Sequence, residues 1–277
     1  MSLLAIEGLE VTYRTPRGPF PAVRGVSLSV DHDRLGLVGE SGSGKSTVGR
    51  AILRLLPETA TIKAERMDFQ GRSILLAPPA QLREWRGRRI GLILQDPKYS
   101  LNPVMTIGQQ IAETHRIHIR STRALARRAA LDMLEAVAIR DPERVYDLYP
   151  HEVSGGMGQR AMIAMMLVAE PDLLIADEPT SALDVTVQAQ ILALLDKLAR
   201  RRGMGLVLIS HNLPLVAAFC DRVAVMYGGR LMETVRASLL GQSRHPYTQG
   251  LLRCQPLLDV AQDELPTFVR DAAWAAP

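Results

Sequence analysis

The fold of this sequence is decided by one stretch of nine residues, Gly39-Glu40-Ser41-Gly42-Ser43-Gly44-Lys45-Ser46-Thr47. An apolar run typical of a buried strand precedes it at 35–38, and the apolar periodicity of 45–56 predicts a helix that ends before Pro57. The stretch matches the pattern G-x-x-x-x-G-K-[ST] between a predicted strand and a predicted helix, which is the context of a phosphate-binding loop. A chance match in a flexible loop is the alternative, and this context disfavours it.

The residue types in this stretch suit a nucleoside triphosphate. Gly42 and Gly44 let the backbone wrap closely and aim amide groups at phosphate oxygens, and the helix N-terminus adds its dipole. Lys45 brings a positive charge to the β- and γ-phosphates, and the Ser46 hydroxyl is placed to bind Mg²⁺. We therefore expect the nucleotide to be contacted by Gly39, Ser41, Gly42, Gly44, Lys45, Ser46 and Thr47.

Composition sets only broad limits on the class of protein. The chain has 277 residues, 47% of them hydrophobic and 22% charged, with a formal net charge of +4, as in ordinary globular proteins. No apolar run approaches the ~18 residues needed to span a bilayer, and the N-terminus lacks the basic start of a signal peptide. Two cysteines, Cys220 and Cys254, argue against a disulfide scaffold and suit a reducing compartment. We expect a cytosolic protein, whose mild basicity permits an anionic partner without requiring one.

Strands alternate with helices along most of the chain, which predicts a mostly parallel α/β sheet. A Pro/Gly-rich loop is predicted at 15–21. The predicted strands lie at 3–13, 22–30, 35–38, 90–94, 173–176, 206–210 and 222–226, with short ones within 60–75.

The residues from about 106 to 170 have a mostly helical pattern and form an insertion into the α/β body. Within them, Arg116, Arg120, Arg123 and Arg127 are spaced to share one helical face, which we interpret as a solvated face rather than a contact with lipid head groups. The predicted boundaries are 1–240 for the main domain, with the helical insertion at about 98–165, and 241–277 for a short C-terminal extension.

An apolar strand, 173–176, runs into two adjacent carboxylates, Asp177 and Glu178. A buried strand rarely ends in this way unless the acids face a cation or a reacting water. Asp177 can hold Mg²⁺, and Glu178 can polarise an attacking water as a general base. The alternative is a solvated strand end before the Pro179 turn, which the upstream phosphate loop makes less attractive.

A second glycine-rich segment, Val153-Ser154-Gly155-Gly156-Met157-Gly158-Gln159-Arg160, precedes an apolar helix. A serine and two glycines at a helix start form an anion-binding N-terminus. Since one triphosphate loop seldom needs a second phosphate nest in its own site, the simplest interpretation is that this one caps ATP held by another copy or a partner. An ordinary capped helix is the alternative.

These motifs, together with Ser181 to Asp184 and Ser210-His211, occur in the order found in ABC-transporter ATPase subunits, and the resemblance covers roughly residues 3–235. It implies an α/β fold: an ABC-type nucleotide-binding domain with a RecA-like core, a small antiparallel β subdomain and an inserted helical subdomain. Gln95-Asp96-Pro97 with Ser100-Leu101-Asn102-Pro103 resembles the dipeptide/oligopeptide/nickel importer group, and His245-Pro246-Tyr247-Thr248 resembles its C-terminal element.

The resemblance also implies roles at matching positions. Tyr13 stacks on adenine, and Gln95 senses Mg²⁺ and the γ-phosphate. Ser154, Gly155 and Gly156 contact the γ-phosphate across a dimer interface, Asp184 links the two sites, and His211 contacts the γ-phosphate. The implied catalytic residues are Glu178, His211, Gln95 and Lys45, and the implied Mg²⁺ ligands are Ser46, Gln95 and Asp177.

The implied function is ATP hydrolysis that energises import of peptides or nickel and other metal chelates across the inner membrane, with ATP and Mg²⁺ as cofactors. The implied partners are two transmembrane permease subunits, a second ABC ATPase subunit (a copy or a relative) and, indirectly, an extracytoplasmic substrate-binding protein. The chain would be peripheral on the cytoplasmic face and bind no nucleic acid. Two alternatives stay open: a soluble ABC ATPase acting on nucleic acid or ribosomes, and an accessory ATPase of a phosphonate-degrading complex.

Overall fold

The computed structural model describes residues 2–94, 100–180 and 185–254, together with Asp271 and Trp274. The chain divides into two compact units, which are described separately below. The first unit consists of Met1–Leu76 and Val207–Pro277, and the second of Ala77–Leu206. The domain boundaries expected from the sequence, 1–240 with an insertion at about 98–165 and an extension at 241–277, stay a prediction.

In chain order, the described strands are β1 (Leu4–Thr15), β2 (Gly18–Val30), β3 (Arg34–Val38), β4 (Ala60–Lys63), β5 (Arg66–Phe69), β6 (Arg72–Ser73), β7 (Ile90–Ile93), β8 (Leu173–Asp177), β9 (Gly205–Ser210), β10 (Arg222–Tyr227) and β11 (Arg230–Arg236). The described helices are α1 (Lys45–Ile52), α2 (Pro79–Trp85), α3 (Ile107–Ile119), α4 (Arg123–Ala136), α5 (Pro142–Asp147), α6 (Gly155–Leu167), α7 (Val185–Arg202), α8 (Leu213–Phe219) and α9 (Pro246–Arg253). Most predicted strands are confirmed with small shifts at their ends, whereas β11 was not predicted.

The first unit contains an antiparallel sheet and a group of strands that supports the phosphate loop. The antiparallel sheet has the order β2-β1-β5-β6, and β4 also pairs with β1. In the other group, β10 pairs in parallel with β3 and antiparallel with β11, and β9 is the neighbour of β3. Leu35, Leu37 and Val38 of β3 are buried, as expected for a strand covered on both faces. The predicted buried strand before the loop is therefore confirmed.

The second unit joins a parallel strand pair to a bundle of helices. β7 and β8 pair in parallel, with Ile90 opposite Leu173, and every residue of β8 is buried. In the helical part, α3 and α5 approach each other closely at Gly108. A Cβ added at this glycine would lie 2.0 Å from the ring of Tyr146. The predicted helical character of the region after residue 106 is confirmed. None of the helices that the structure describes is long and apolar enough for a bilayer crossing.

The predicted loop at 15–21 is wrong, because β1 and β2 form a hairpin that turns between Thr15 and Gly18. The Thr15 hydroxyl donates to the Gly18 carbonyl at 2.8 Å and accepts the Arg17 amide at 3.2 Å, which closes the turn. Pro19 and Pro21 lie within β2. β2 is an edge strand, where a missing N–H need not interrupt a ladder, so these prolines are tolerated.

The helix predicted at 45–56 ends earlier, at Ile52. Arg54 has a left-handed backbone with φ of 50°. Its amide donates to the Ala51 carbonyl at 2.9 Å, and the Leu55 amide donates to the Arg50 carbonyl at 2.9 Å. These two bonds form a Schellman motif. The left-handed position usually carries glycine, so an arginine there gives the sequence no signal of the helix end.

The predicted single face of arginines is also wrong, because the four arginines do not share one helix. Arg120 ends α3 with φ of 54°, and Thr122 starts α4 by accepting the Leu125 amide at 3.3 Å. One helix therefore ends and another begins between Arg116 and Arg127, so the regular spacing of the arginines does not put them on one helical face. Arg127 lies 5.1 Å from the Tyr146 ring centroid, and its guanidinium donates to Glu143 at 2.6 Å.

The strand that leads into the phosphate loop, β3, packs against α8 at a glycine. A Cβ added at Gly36 would lie 2.0 Å from Cγ1 of Val216 and 3.2 Å from Sγ of Cys220. Burial raises the pKa of the Cys220 thiol to about 12, so this group is protonated at neutral pH and acts as an apolar packing element. The strand position before the loop therefore depends on a residue without a side chain.

Replacing Gly36 by alanine is expected to lower the free energy of unfolding by about 1–3 kcal/mol, because β3 and α8 must move apart. Chemical denaturation measures the change. Gly241→Ala is the matched control, since a Cβ at that position meets nothing within 4 Å. Equal losses of stability in the two variants would contradict the proposed close packing.

Candidate nucleotide-binding site

The phosphate loop connects the end of β3 to the start of α1, and two of its glycines are required by close backbone approaches. A Cβ at Gly39 would lie 2.1 Å from the Met226 carbonyl oxygen, and a Cβ at Gly44 would lie 2.5 Å from the Ala22 carbonyl oxygen. Gly44 also has a left-handed φ of 100° as the residue before α1. The loop is therefore shaped around its neighbours in the first unit, with Ser41 and Gly42 exposed at its tip.

Lys45 is the first residue of α1, and its side chain turns back into the loop. Its Nζ donates to the carbonyl oxygens of Gly39 at 2.9 Å and Glu40 at 2.7 Å, and lies 3.3 Å from the Ser43 hydroxyl. Lys45 is only 6% exposed. A buried ammonium group needs such partners, because desolvation opposes its charge. The loop thus holds a positive charge at the N-terminus of a helix, where anions are favoured.

Two contacts from distant parts of the first unit hold the outer side of the loop. The Gly229 amide, in the turn between β10 and β11, donates to the Ser43 carbonyl at 3.1 Å. The Glu40 amide donates to the Tyr247 hydroxyl at 3.3 Å. Neither residue was predicted to take part in the site. The sequence carries no signal for Gly229, and it marked Tyr247 only as part of a C-terminal motif.

Tyr13 and His211, two of the residues expected near the nucleotide, also belong to the first unit. Tyr13 ends up beside the loop, with its hydroxyl 3.5 Å from the Thr47 hydroxyl at the start of α1. The half-buried ring extends from β1. His211 directly follows β9 and is exposed. The next residue, Asn212, begins α8 by accepting the Leu215 amide at 3.1 Å.

The acidic pair lies at the end of β8 in the second unit. Asp177 is the last strand residue and only 5% exposed, and Glu178 follows it half-buried. Glu178 has a left-handed backbone with φ of 48°, which is uncommon for a residue with a side chain. The strand thus delivers two carboxylates to its carboxyl end, where open parallel sheets bind ligands.

The glycine-rich segment of the second unit starts α6. The exposed Ser154 caps the helix by accepting the Met157 amide at 3.3 Å, so Gly155 and Gly156 form its first turn. Farther along, the buried Gln159 donates from Nε2 to the Pro179 carbonyl, one residue beyond Glu178. This hydrogen bond therefore links α6 directly to the residue that follows Glu178.

A cleft of about 470 Å³ opens beside the start of α6. Its walls include Ser154 and Gly156, and its charged lining residues are three arginines and two carboxylates: Arg140, Arg144, Arg160, Asp141 and Glu152. Arg160 is held in place by a bond from its guanidinium to the Ala138 carbonyl at 2.9 Å. The cleft thus has a lining of mixed charge, and the feature in it that favours an anion is the N-terminus of α6.

Two of the side chains expected to bind Mg²⁺ have suitable chemistry, and each is described within its own unit. Ser46 contributes a hydroxyl and Asp177 a carboxylate, and Mg²⁺ prefers such hard oxygen ligands, together with water and phosphate oxygens. Gln95 and Asp184, the other residues expected to act on the nucleotide or the metal, lie outside the described residues.

Comparison with known proteins places these motifs in a family. The family model described as "ABC transporter" matches residues 23–181, more than half of the chain. The probable peptide ABC transporter ATP-binding protein y4tR of Sinorhizobium fredii (strain NBRC 101917 / NGR234) is 49% identical over 92% of this chain and 77% of its own length. The dipeptide transport ATP-binding protein DppD of Escherichia coli (strain K12) is 44% identical over 95% of this chain and 81% of its own.

Among solved structures, one similar chain is the ATP-binding cassette MJ0796, described as a dimer in a post-hydrolysis state bound to ADP and Pi. It has a TM-score of 0.76 and 25% sequence identity, and covers 84% of this chain and 98% of its own. The ABC-type fold implied by the sequence is therefore confirmed. Since a family model and relatives at this level of identity agree over most of its length, the chain belongs to the ABC transporter family and is one of its ATP-binding, ATP-hydrolysing proteins.

Proposed function

We propose that this chain is the ATPase subunit of a peptide importer, and that its phosphate loop binds the triphosphate of ATP. The observation that carries the proposal is the buried Lys45 ammonium group inside the loop at the N-terminus of α1. A buried cation at a helix N-terminus favours an anionic ligand. Peptides as the cargo are supported by the relatives, whose names specify peptide, dipeptide or oligopeptide transport.

In this proposal the loop binds the nucleotide by backbone amides and by Lys45. The ammonium group exchanges the carbonyl oxygens of Gly39 and Glu40 for the β- and γ-phosphates. Thr47 and Ser46 supply hydroxyls at the helix start, and Tyr13 offers its ring to the adenine. Ser46 and Asp177 are the proposed ligands of Mg²⁺, which would neutralise phosphate charge when bound.

Hydrolysis requires a group that activates water, and Glu178 is the proposed general base. Its left-handed backbone turns it out of the strand line, and its neighbour Asp177 stays within β8. His211, exposed after β9, is the proposed γ-phosphate contact. Gln95 and Asp184 keep the roles expected from the sequence, as a γ-phosphate sensor and as a link between two sites.

The start of α6 is proposed to bind the γ-phosphate of ATP held by a second ATPase subunit. Ser154, Gly155 and Gly156 are exposed or half-buried at the N-terminus of α6, so a partner's phosphate can reach them. A helix N-terminus is suited to an anion, and we assign this one to a partner's nucleotide because the phosphate loop already serves the chain's own triphosphate. The similar cassette MJ0796 is described as a dimer with ADP and Pi, which supports this arrangement.

The proposed complex contains two ATPase subunits, two membrane permeases and an extracytoplasmic binding protein, with this chain on the cytoplasmic face of the inner membrane. Whether the second ATPase is a copy or a relative does not change the chemistry proposed for this chain. No specific observation favours nickel or metal chelates as the cargo, or the alternatives that involve nucleic acid, ribosomes or phosphonate degradation.

Replacing Lys45 by alanine is expected to lower ATP turnover by at least about a hundredfold, because the loop loses the charge that faces the phosphates. Steady-state phosphate release measures this. Lys197→Ala, at an exposed position of α7, is the matched control and should hydrolyse ATP as the wild type does. Wild-type turnover in the Lys45 variant would rule out the assignment of the loop.

Replacing Glu178 by glutamine is expected to preserve ATP binding and slow hydrolysis by about 10²–10⁴-fold, because the amide is a poor base. Single-turnover hydrolysis and size-exclusion chromatography with ATP would show slow cleavage and accumulation of a dimer. Glu170→Gln is the matched control, since Glu170 is exposed and has a similar φ of 55°. If the Glu178 variant turned over normally, another group would be the base.

The intact complex, purified through a tag on this chain and reconstituted in vesicles, is expected to hydrolyse ATP faster when peptides are supplied with the binding protein. A mixture of di- to pentapeptides and a nickel chelate are the two probes. Stimulation by peptides alone supports the proposed cargo. Stimulation by the nickel chelate alone would contradict peptides as the cargo and indicate a nickel chelate instead.

A further inference from the structure

A tyrosine from the C-terminal part of the chain forms part of the phosphate loop's support. Tyr247, in α9, is fully buried at 0% exposure. Its hydroxyl accepts the backbone amide of Glu40 at 3.3 Å, across 207 residues of sequence. The contact lies within the first unit, because both residues belong to it. A buried hydroxyl with a specific backbone partner fixes the position of that backbone.

The position of Tyr247 is determined by the hydrogen bonds at the start of α9. The His245 ring nitrogen Nδ1 accepts the Tyr247 amide at 3.2 Å, and Pro246 occupies the first helical position, where its missing N–H is harmless. The buried Thr248 hydroxyl donates to the Glu233 carboxylate on β11. The short helix is thus anchored on both sides of the tyrosine.

Aromatic packing fixes the ring as well as the hydroxyl. The ring centroid of Tyr247 lies 4.7 Å from that of Tyr227, at the end of β10, and 5.8 Å from that of Trp274. Both distances are in the range where aromatic pairs attract each other. Tyr227 is followed by the turn whose Gly229 amide donates to the Ser43 carbonyl at 3.1 Å. The tyrosine and this turn therefore support the same loop.

The amide that Tyr247 binds belongs to the peptide group that holds Lys45. The N–H of this group is that of Glu40, and its C=O is that of Gly39, which accepts Lys45 Nζ at 2.9 Å. A peptide group is planar, so fixing the direction of its N–H also fixes the direction of its C=O. The hydroxyl of Tyr247 thus orients the Gly39–Glu40 peptide group, the first peptide group of the phosphate loop.

We propose that Tyr247 is a positioning residue for ATP binding, which acts through the Gly39–Glu40 peptide group and keeps the phosphate loop in its binding shape. The inference rests on the proposed nucleotide site. It assigns a role in that site to one residue of the His245–Thr248 motif, Tyr247. Because Tyr247 acts on the shape of the loop and not on the attacking water, its loss weakens nucleotide binding and leaves the chemical step unchanged.

The test replaces Tyr247 by phenylalanine, which keeps the ring between Tyr227 and Trp274 and removes the hydroxyl. The expected result is a Kd for ATP and ADP, and a KM for ATP, raised by about three- to tenfold, with kcat retained. Amide hydrogen exchange at Glu40 should also become faster. Titration with a fluorescent ATP analogue, steady-state kinetics and exchange measured by mass spectrometry give the three readouts.

Thr248→Val is the matched control, because it removes the neighbouring buried hydroxyl on α9, which bonds to Glu233 and not to the loop. Both variants lower the melting temperature, but only Tyr247→Phe should change nucleotide affinity and exchange at Glu40. Unchanged affinity in Tyr247→Phe, or equal losses in both variants, would overturn the inference. Lys45→Ala is measured in parallel to test the nucleotide site itself. If that variant bound ATP as tightly as the wild type, the proposed nucleotide site would be wrong, independently of the result for Tyr247.

Discussion

The ammonium group of Lys45, held by carbonyl oxygens of its own loop, is the interaction on which the rest of the site depends. A positive charge with 6% exposure is stable only if the surrounding carbonyl groups point towards it. The loop backbone also packs against the Met226 and Ala22 carbonyl groups, where two glycines are required. Contacts within the first unit therefore contribute to the shape of the loop.

The two units contribute different chemistry. The first unit carries the phosphate loop, Tyr13 and His211, and the second unit carries the acidic pair and the start of α6. Within the second unit, the bond from Gln159 to the Pro179 carbonyl joins the glycine-rich helix to the residue that follows Glu178. A change at the start of α6, where the proposal puts a partner's nucleotide, therefore has a direct covalent and hydrogen-bonded route to the proposed general base.

Much of the fold follows from the sequence, and the failures have identifiable causes. Buried strands such as β3 and β8 are predictable because they are short apolar runs next to motifs of fixed chemistry. The hairpin of β1 and β2 was missed because prolines usually break strands, and only the edge position of β2 makes them acceptable. The ends of α1 and α3 were missed because Arg54 and Arg120 adopt the left-handed conformation that normally identifies itself by glycine.

The candidate site is predictable where neighbours in sequence are also neighbours in space, as in the phosphate loop and the start of α6. The contact between Tyr247 and Glu40 spans 207 residues, and no local pattern encodes it.

The central claim is that ATP binds at this loop and draws the Lys45 ammonium group onto its phosphates. The most direct measurement is a crystal structure of the chain with Mg²⁺ and a non-hydrolysable ATP analogue. The account predicts the phosphates against the amides of residues 42–47, with Lys45 Nζ on the β- and γ-phosphates. A nucleotide bound elsewhere, or Lys45 still bonded to the Gly39 and Glu40 carbonyls beneath a bound nucleotide, would contradict it.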